Sequence, residues 1–107
     1  MRLGDPRFAT FPPTPGAAQL RWYIHQAAQG VLTIHEFLTD FRALHETIEQ
    51  SGSPEFASPE EARAVWDVLW AVEFCSVDVS KEENPEDWYS PADVLAIVKR
   101  SATKLVT

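Results

Sequence analysis

Four times this chain sets a hydroxyl residue directly before a proline. Ser53-Pro54 follows the glycine of Ser51-Gly52, and the other three, Thr14-Pro15, Ser58-Pro59 and Ser90-Pro91, precede an apolar-periodic run. A fourth start, Thr33-Ile34-His35-Glu36, lacks the proline but carries Glu three residues after Thr. Each has the form of a helix N-terminus. A hydroxyl caps an orphan N–H of the first turn, and proline suits the first helical position because its missing N–H is not needed there. The Glu of a capping box reaches back to the cap residue. Behind each start, apolar residues recur at three- and four-residue spacing, and no stretch alternates as a half-buried strand does. Short turns between such helices favour antiparallel neighbours. The expected fold is therefore all-α: an antiparallel up-and-down four-helix bundle over residues 14–107, preceded by an irregular N-terminal arm over residues 1–13.

The arm holds Gly4, Pro6, Pro12 and Pro13 without clear periodicity. Its Phe8 and Phe11 either pack on the body or trail with a mobile tail. In the first helix Ala17, Leu20, Ile24, Ala27 and Ala28 form the apolar face, and Gly30 stops it. The second helix has the clearest stripe, Ile34, Phe37, Leu38, Phe41, Leu44 and Ile48, and ends near Gln50. The third is apolar most of the way round. Its inner stripe is expected to be Ala62, Val65, Trp66, Leu69 and Val72, with Val68, Trp70 and Phe74 on other faces. Such a helix is usually central, so Trp66 is expected in the core, whereas Trp70 fits either a core or a partner surface. The fourth carries Val94, Leu95, Val98, Ala102 and Leu105, with Lys99, Arg100 and Lys104 in its last turns, where cations oppose the negative helix end.

Charge is placed unevenly. The net charge is −7, yet between Glu36 and Asp93 fifteen acidic residues face only Arg42, Arg63 and Lys81. A field of this sign repels phosphate backbones and anionic lipid and draws basic protein surfaces or cations, although it also serves solubility alone. Nucleic acid and membrane are accordingly not expected as partners. No apolar run approaches the ~20 residues that span a bilayer, and no secretory leader is visible, so the cytoplasm is the default location. The single Cys75 cannot form an internal disulfide and is expected as a buried thiol.

Catalytic and metal signatures are missing. His25, His35 and His45 do not share a face at ligand spacing, and His45-Glu46-Thr47-Ile48-Glu49 lacks the second histidine of a zinc helix. Asp78, Ser80, Glu82 and Asn84 alternate as in a calcium loop, but Glu83 stands where glycine is needed and Tyr89 where a bidentate Glu is needed. No nucleophile elbow or phosphate-binding glycine loop occurs. The chain is read as a non-enzyme without cofactor or metal.

What is left is the connector before the last helix. From Glu73 to Tyr89 it carries Glu73, Asp78, Glu82, Glu83, Glu86 and Asp87 against Lys81, and closes on Trp88 and Tyr89. Carboxylates beside aromatics suit recognition of a basic partner: rings anchor, charges steer. Tyr89 also occupies the position of a hydrophobic staple to Val94. Trp88 stays open between anchor and packing.

The segment V-W-D-V-L-W-A-V-E-F-C-S-V-D-V (Val65–Val79), the acidic connector, and W-Y-S-P-A-D-V-L-A-I-V-K-R-S-A-T-K-L (Trp88–Leu105) resemble the bacterial self-protective colicin-like immunity proteins, the family of the colicin D immunity protein. T-I-H-E-F-L-T-D-F (Thr33–Phe41) is similar to the family's second helix. The resemblance implies an acidic helical bundle that binds a basic RNase-type toxin and covers its substrate site, with carboxylates where substrate phosphates would lie. By position these would be Glu73, Asp78, Glu82, Glu83, Glu86 and Asp87. The alternative is a structural or regulatory bundle that self-associates, as a homodimer, through aromatic surface such as Trp70 and Phe74.

Overall fold

The computed structural model describes residues 4–52, 54–76 and 81–105. Four helices form: α1 (Ala17–Ala28), α2 (Ile34–Gln50), α3 (Pro59–Glu73) and α4 (Pro91–Ala102). Three of the four expected caps hold. The Thr33 hydroxyl accepts from the Glu36 N–H at 3.1 Å while the Glu36 carboxylate accepts from the Thr33 N–H at 3.0 Å. Ser90 and Asp93 make the same reciprocal pair, and Ser58 accepts from the Glu61 N–H at 3.1 Å. Thr14 does not cap: α1 begins after Gly16 and has no side-chain cap. The preceding segment is held to the side of α1 instead, where the Gln19 amide donates to the Pro12 carbonyl at 2.8 Å.

Gly30 ends α1 as expected, and its φ of 79° explains the residue choice. The Gly30 N–H donates to the Ala27 carbonyl and the Val31 N–H to that of Gln26, the two bonds of a Schellman close. A left-handed φ is strained for any residue with a Cβ.

The four helices pack into an all-α unit, with no strand among the described residues; the only strand-like feature there is an isolated bridge between Cys75 and Tyr89. Helices consecutive in the chain are neighbours from α1 to α4, and α1 also packs closely on α4, which closes the bundle. The core combines Leu20, Tyr23 and Ile24 of α1, Phe37, Phe41 and Ile48 of α2, Val65 and Val68 of α3, and Val94 and Val98 of α4. Full burial of side chains of this kind is worth roughly 1.5–3 kcal/mol each, opposed by the conformational entropy of the ordered chain.

On α3 the buried face is Glu61, Ala64, Val65, Val68, Ala71 and Val72. This corrects the expected inner stripe: Trp66 is 58% exposed and Trp70 52%. The small Ala and Val side chains share one face and let neighbouring helices approach closely. The two indoles fall on the opposite side of the wheel, so α3 is not enclosed on all sides. Glu61 is buried with its carboxylate on Arg21 of α1 at 2.7 Å.

The N-terminal arm is bound to the body. A single 3-10 turn at Pro6–Phe8 is capped by Asp5, and Phe8 and Phe11 pack against Trp22 and Tyr23 with ring centroids 5.0–5.9 Å apart. The Trp22 indole donates to the Thr10 hydroxyl at 3.0 Å. Arg7 forks onto Glu36 at 2.7 and 3.0 Å and onto Asp5. This fork draws the Glu36 carboxyl down to about 2, and the same Arg7 hydrogen bonds lower that of Asp5.

Candidate functional site

The connector between α3 and α4 is closed at its base. The Tyr89 N–H donates to the Phe74 carbonyl at 2.8 Å, and the Ser76 N–H to the Tyr89 carbonyl at 2.9 Å. Two backbone bonds thus pin the ends of the loop together, which places the residues just before α4 beside the end of α3. Tyr89 packs against the core, as a staple before the Ser90 cap would, and Cys75 is half-buried just beyond α3 rather than within it. Burial pushes the Cys75 thiol pKa up, with a smaller push from the negative charge of Asp93.

The acidic candidates have different local environments. Glu73, exposed at the end of α3, pairs with Arg42 of α2 at 3.3 Å. Glu82 is half-buried and accepts a hydrogen bond from the buried Ser76 hydroxyl at 2.8 Å, which ties the loop to its own base. Asp78 lies outside the described residues. Glu83, Glu86 and Asp87 are exposed, and among the described residues their side chains have no ion-pair or hydrogen-bond partner. Elsewhere in the acidic segment Glu46 pairs with Arg42, Asp67 with Arg63 and Glu61 with Arg21, and Glu49 lies 3.2 Å from His45, whereas Glu55 and Glu60 are exposed and, among the described residues, as open as the connector's acids. Of the open carboxylates, Glu83, Glu86 and Asp87 fall together in the C-terminal part of the connector, apart from Glu55 and Glu60 around the start of α3.

Trp88 is half-buried and meets Phe74 edge-on with centroids 6.4 Å apart; Phe74 in turn lies 4.7 Å from Trp70. The ring row therefore passes from α3 to the loop without a break. Three clefts follow it. One of about 540 Å³ lies between α2, α3 and the segment joining them, with Phe56 and Trp66 in its wall. A second of about 330 Å³ is bounded by Arg42, Trp66, Trp70 and Phe74. The third, about 230 Å³, is lined by Trp70, Phe74, Glu86, Asp87, Trp88 and Tyr89. Trp66 borders the first two and Trp70 and Phe74 the last two, so these clefts belong to one continuous surface.

The acidic residues of this surface are among those expected from the sequence, whereas Phe56 is not and Trp66 is expected in the core. A signal was present: Ala64, Val65, Val68, Ala71 and Val72 already trace a complete apolar stripe at helical spacing, which leaves Trp66 to the other face. Among the described residues no three His, Cys, Asp or Glu side chains gather as a metal site, and no helix is long and apolar enough to cross a membrane. No family model, curated protein or solved structure matches the chain.

Proposed function

We propose that this chain is a binding protein for a basic protein partner, and that it acts through the surface running from Trp66 to Asp87 rather than by catalysis. The observation that carries this is the junction of exposed indoles with uncommitted carboxylates: Trp66 and Trp70 are more than half exposed, and Glu86 and Asp87 border the same ring row. Large exposed aromatics next to unpaired acids suit a recognition patch, in which rings anchor and charges set approach and specificity. The resemblance to colicin-like immunity proteins supplies the partner class: the catalytic domain of a basic RNase-type toxin in the cytoplasm, its substrate site covered by Glu83, Glu86 and Asp87.

The test is capture from a lysate of the source organism on immobilised wild-type chain and, in parallel, on a chain carrying Glu83→Lys, Glu86→Lys and Asp87→Lys. Recovery of a basic nuclease-like protein by the wild type alone is expected. Equal recovery on both chains, or no basic protein at low salt, overturns the proposal.

The exposure of Trp66 and Trp70 also favours a second reading, self-association of a structural or regulatory bundle. Sedimentation separates the two. A concentration-dependent dimer that Trp70→Ala abolishes and the charge-reversed chain retains supports self-association.

A further inference from the structure

The smallest of the three clefts brings aromatic and acidic residues together. At about 230 Å³ it falls below the roughly 300–1,000 Å³ of pockets that enclose drug-sized ligands, and it is of a size to receive a single long side chain. It is lined by four aromatic residues, Trp70, Phe74, Trp88 and Tyr89, together with the acidic Glu86 and Asp87. Neither carboxylate has a partner among the described residues. The rings are inclined, 48° between Trp70 and Phe74 and 62° between Phe74 and Trp88, so they form a trough rather than a flat stack.

Electrostatics selects the occupant. Aromatic faces are negative and attract a cation held over them. Two uncommitted carboxylates add the same preference and reject anions. Between the two protein cations, an ammonium is a compact, strongly hydrated point charge. A guanidinium is planar and weakly hydrated, stacks on indole, and donates in parallel to a carboxylate. We infer that this cleft is an arginine slot: the guanidinium of a partner's arginine stacks in the trough between Trp70 and Trp88 and donates to Glu86 and Asp87. The inference rests on the reading of this face as a partner surface and names the residue type that the face selects.

Glu55 and Glu60 are also open but line none of the three clefts. Glu73 already holds Arg42, and Glu82 is bonded to Ser76. An arginine entering the slot would displace no internal ion pair.

The full chain, labelled with ¹⁵N, gives four indole N–H signals by NMR, and that of Trp22, donated internally to Thr10, serves as a control for folding. Titration with N-acetyl-arginine amide is expected to shift the Trp70 and Trp88 signals saturably below about 50 mM and to leave Trp22 in place. N-acetyl-citrulline amide, of the same shape without the charge, and N-acetyl-lysine amide are each expected to bind at least about fivefold more weakly. The exposed double change Glu86→Gln/Asp87→Asn should weaken the arginine response by about the same factor. Responses equal to those with citrulline or lysine overturn the slot, as does an arginine response that the double change leaves intact. Capture of a basic protein without any arginine response sinks the slot alone, whereas an arginine response without a basic partner sinks the wider binding proposal alone.

Discussion

Arg21→Ala removes the cation that, among the described residues, is set against the buried carboxylate of Glu61. The Glu61 side chain is 3% exposed, and its Oε1 accepts from Arg21 at 2.7 Å and from the Ala57 N–H at 3.3 Å. Without Arg21 a single long N–H contact remains for a charge held away from water. Loss of one partner of a buried pair costs about 3–5 kcal/mol. Arg21 itself is 26% exposed, so water can enter the vacated site, and a loss below that range, about 2–3 kcal/mol, is expected here. For a chain of this size that lowers Tm by roughly 10–20 °C. Urea unfolding at pH 7 measures it. The single changes Arg21→Met and Glu61→Leu and the double Arg21→Met/Glu61→Leu form a cycle that separates the pair from the packing. The double change should recover much of the loss, because an apolar pair of similar volume needs no charge solvation. A loss under about 1 kcal/mol for Arg21→Ala, or strict additivity in the cycle, would refute this description of how α1 and α3 are joined.

Other expectations follow from the same geometry. The Glu36 carboxyl is held near 2 against an ordinary 4.5, and that of Asp5 is also lowered, so the Arg7 fork stabilises the fold above the ordinary carboxyl range and stops doing so as pH falls from about 4.5 toward 2. Urea midpoints of wild type and Arg7→Met should differ at pH 7 and converge by about pH 2; a constant gap would contradict this. Gly30→Ala should cost about 1 kcal/mol or more through the strain of a φ of 79° alone, since nothing lies within 4 Å of the position its Cβ would take; D-alanine there should leave stability unchanged or raise it. Trp66→Ala should lower stability by less than about 1 kcal/mol, against about 2–5 kcal/mol for the fully buried Leu20→Ala, as read from thermal unfolding. A large loss at Trp66 would return that indole to the core.

The caps of α2, α3 and α4 were legible because a cap is a local device: Thr33, Ser58 and Ser90 meet partners three residues away. Gly30 was legible for the same reason. Thr14 was misleading because the arm's path along α1, set by contacts such as Gln19 to Pro12, delays the start of the helix. Trp66 was misplaced because a helix apolar on every face gives no unique stripe, and side-chain size then points toward the core although the small Ala and Val face packs more closely. The fork of Arg7 on Glu36 and the joining of Phe74 to Tyr89 pair residues far apart in the chain, and periodicity carries no trace of such pairs. The latter closure matters most for the site. It places Trp88 and Asp87 beside Trp70 and turns an acidic connector into one side of an aromatic surface.

The central claim is that this surface recognises a basic protein by charge and ring together. Its most direct test is the association rate of the chain with the protein it captures, followed by stopped-flow tryptophan fluorescence as salt is raised from about 50 to 500 mM. The account predicts a fall of at least about tenfold in that rate for the wild type, and loss of the fast phase when Glu83, Glu86 and Asp87 are changed to Lys. A rate independent of salt and unchanged by the three reversals would contradict it.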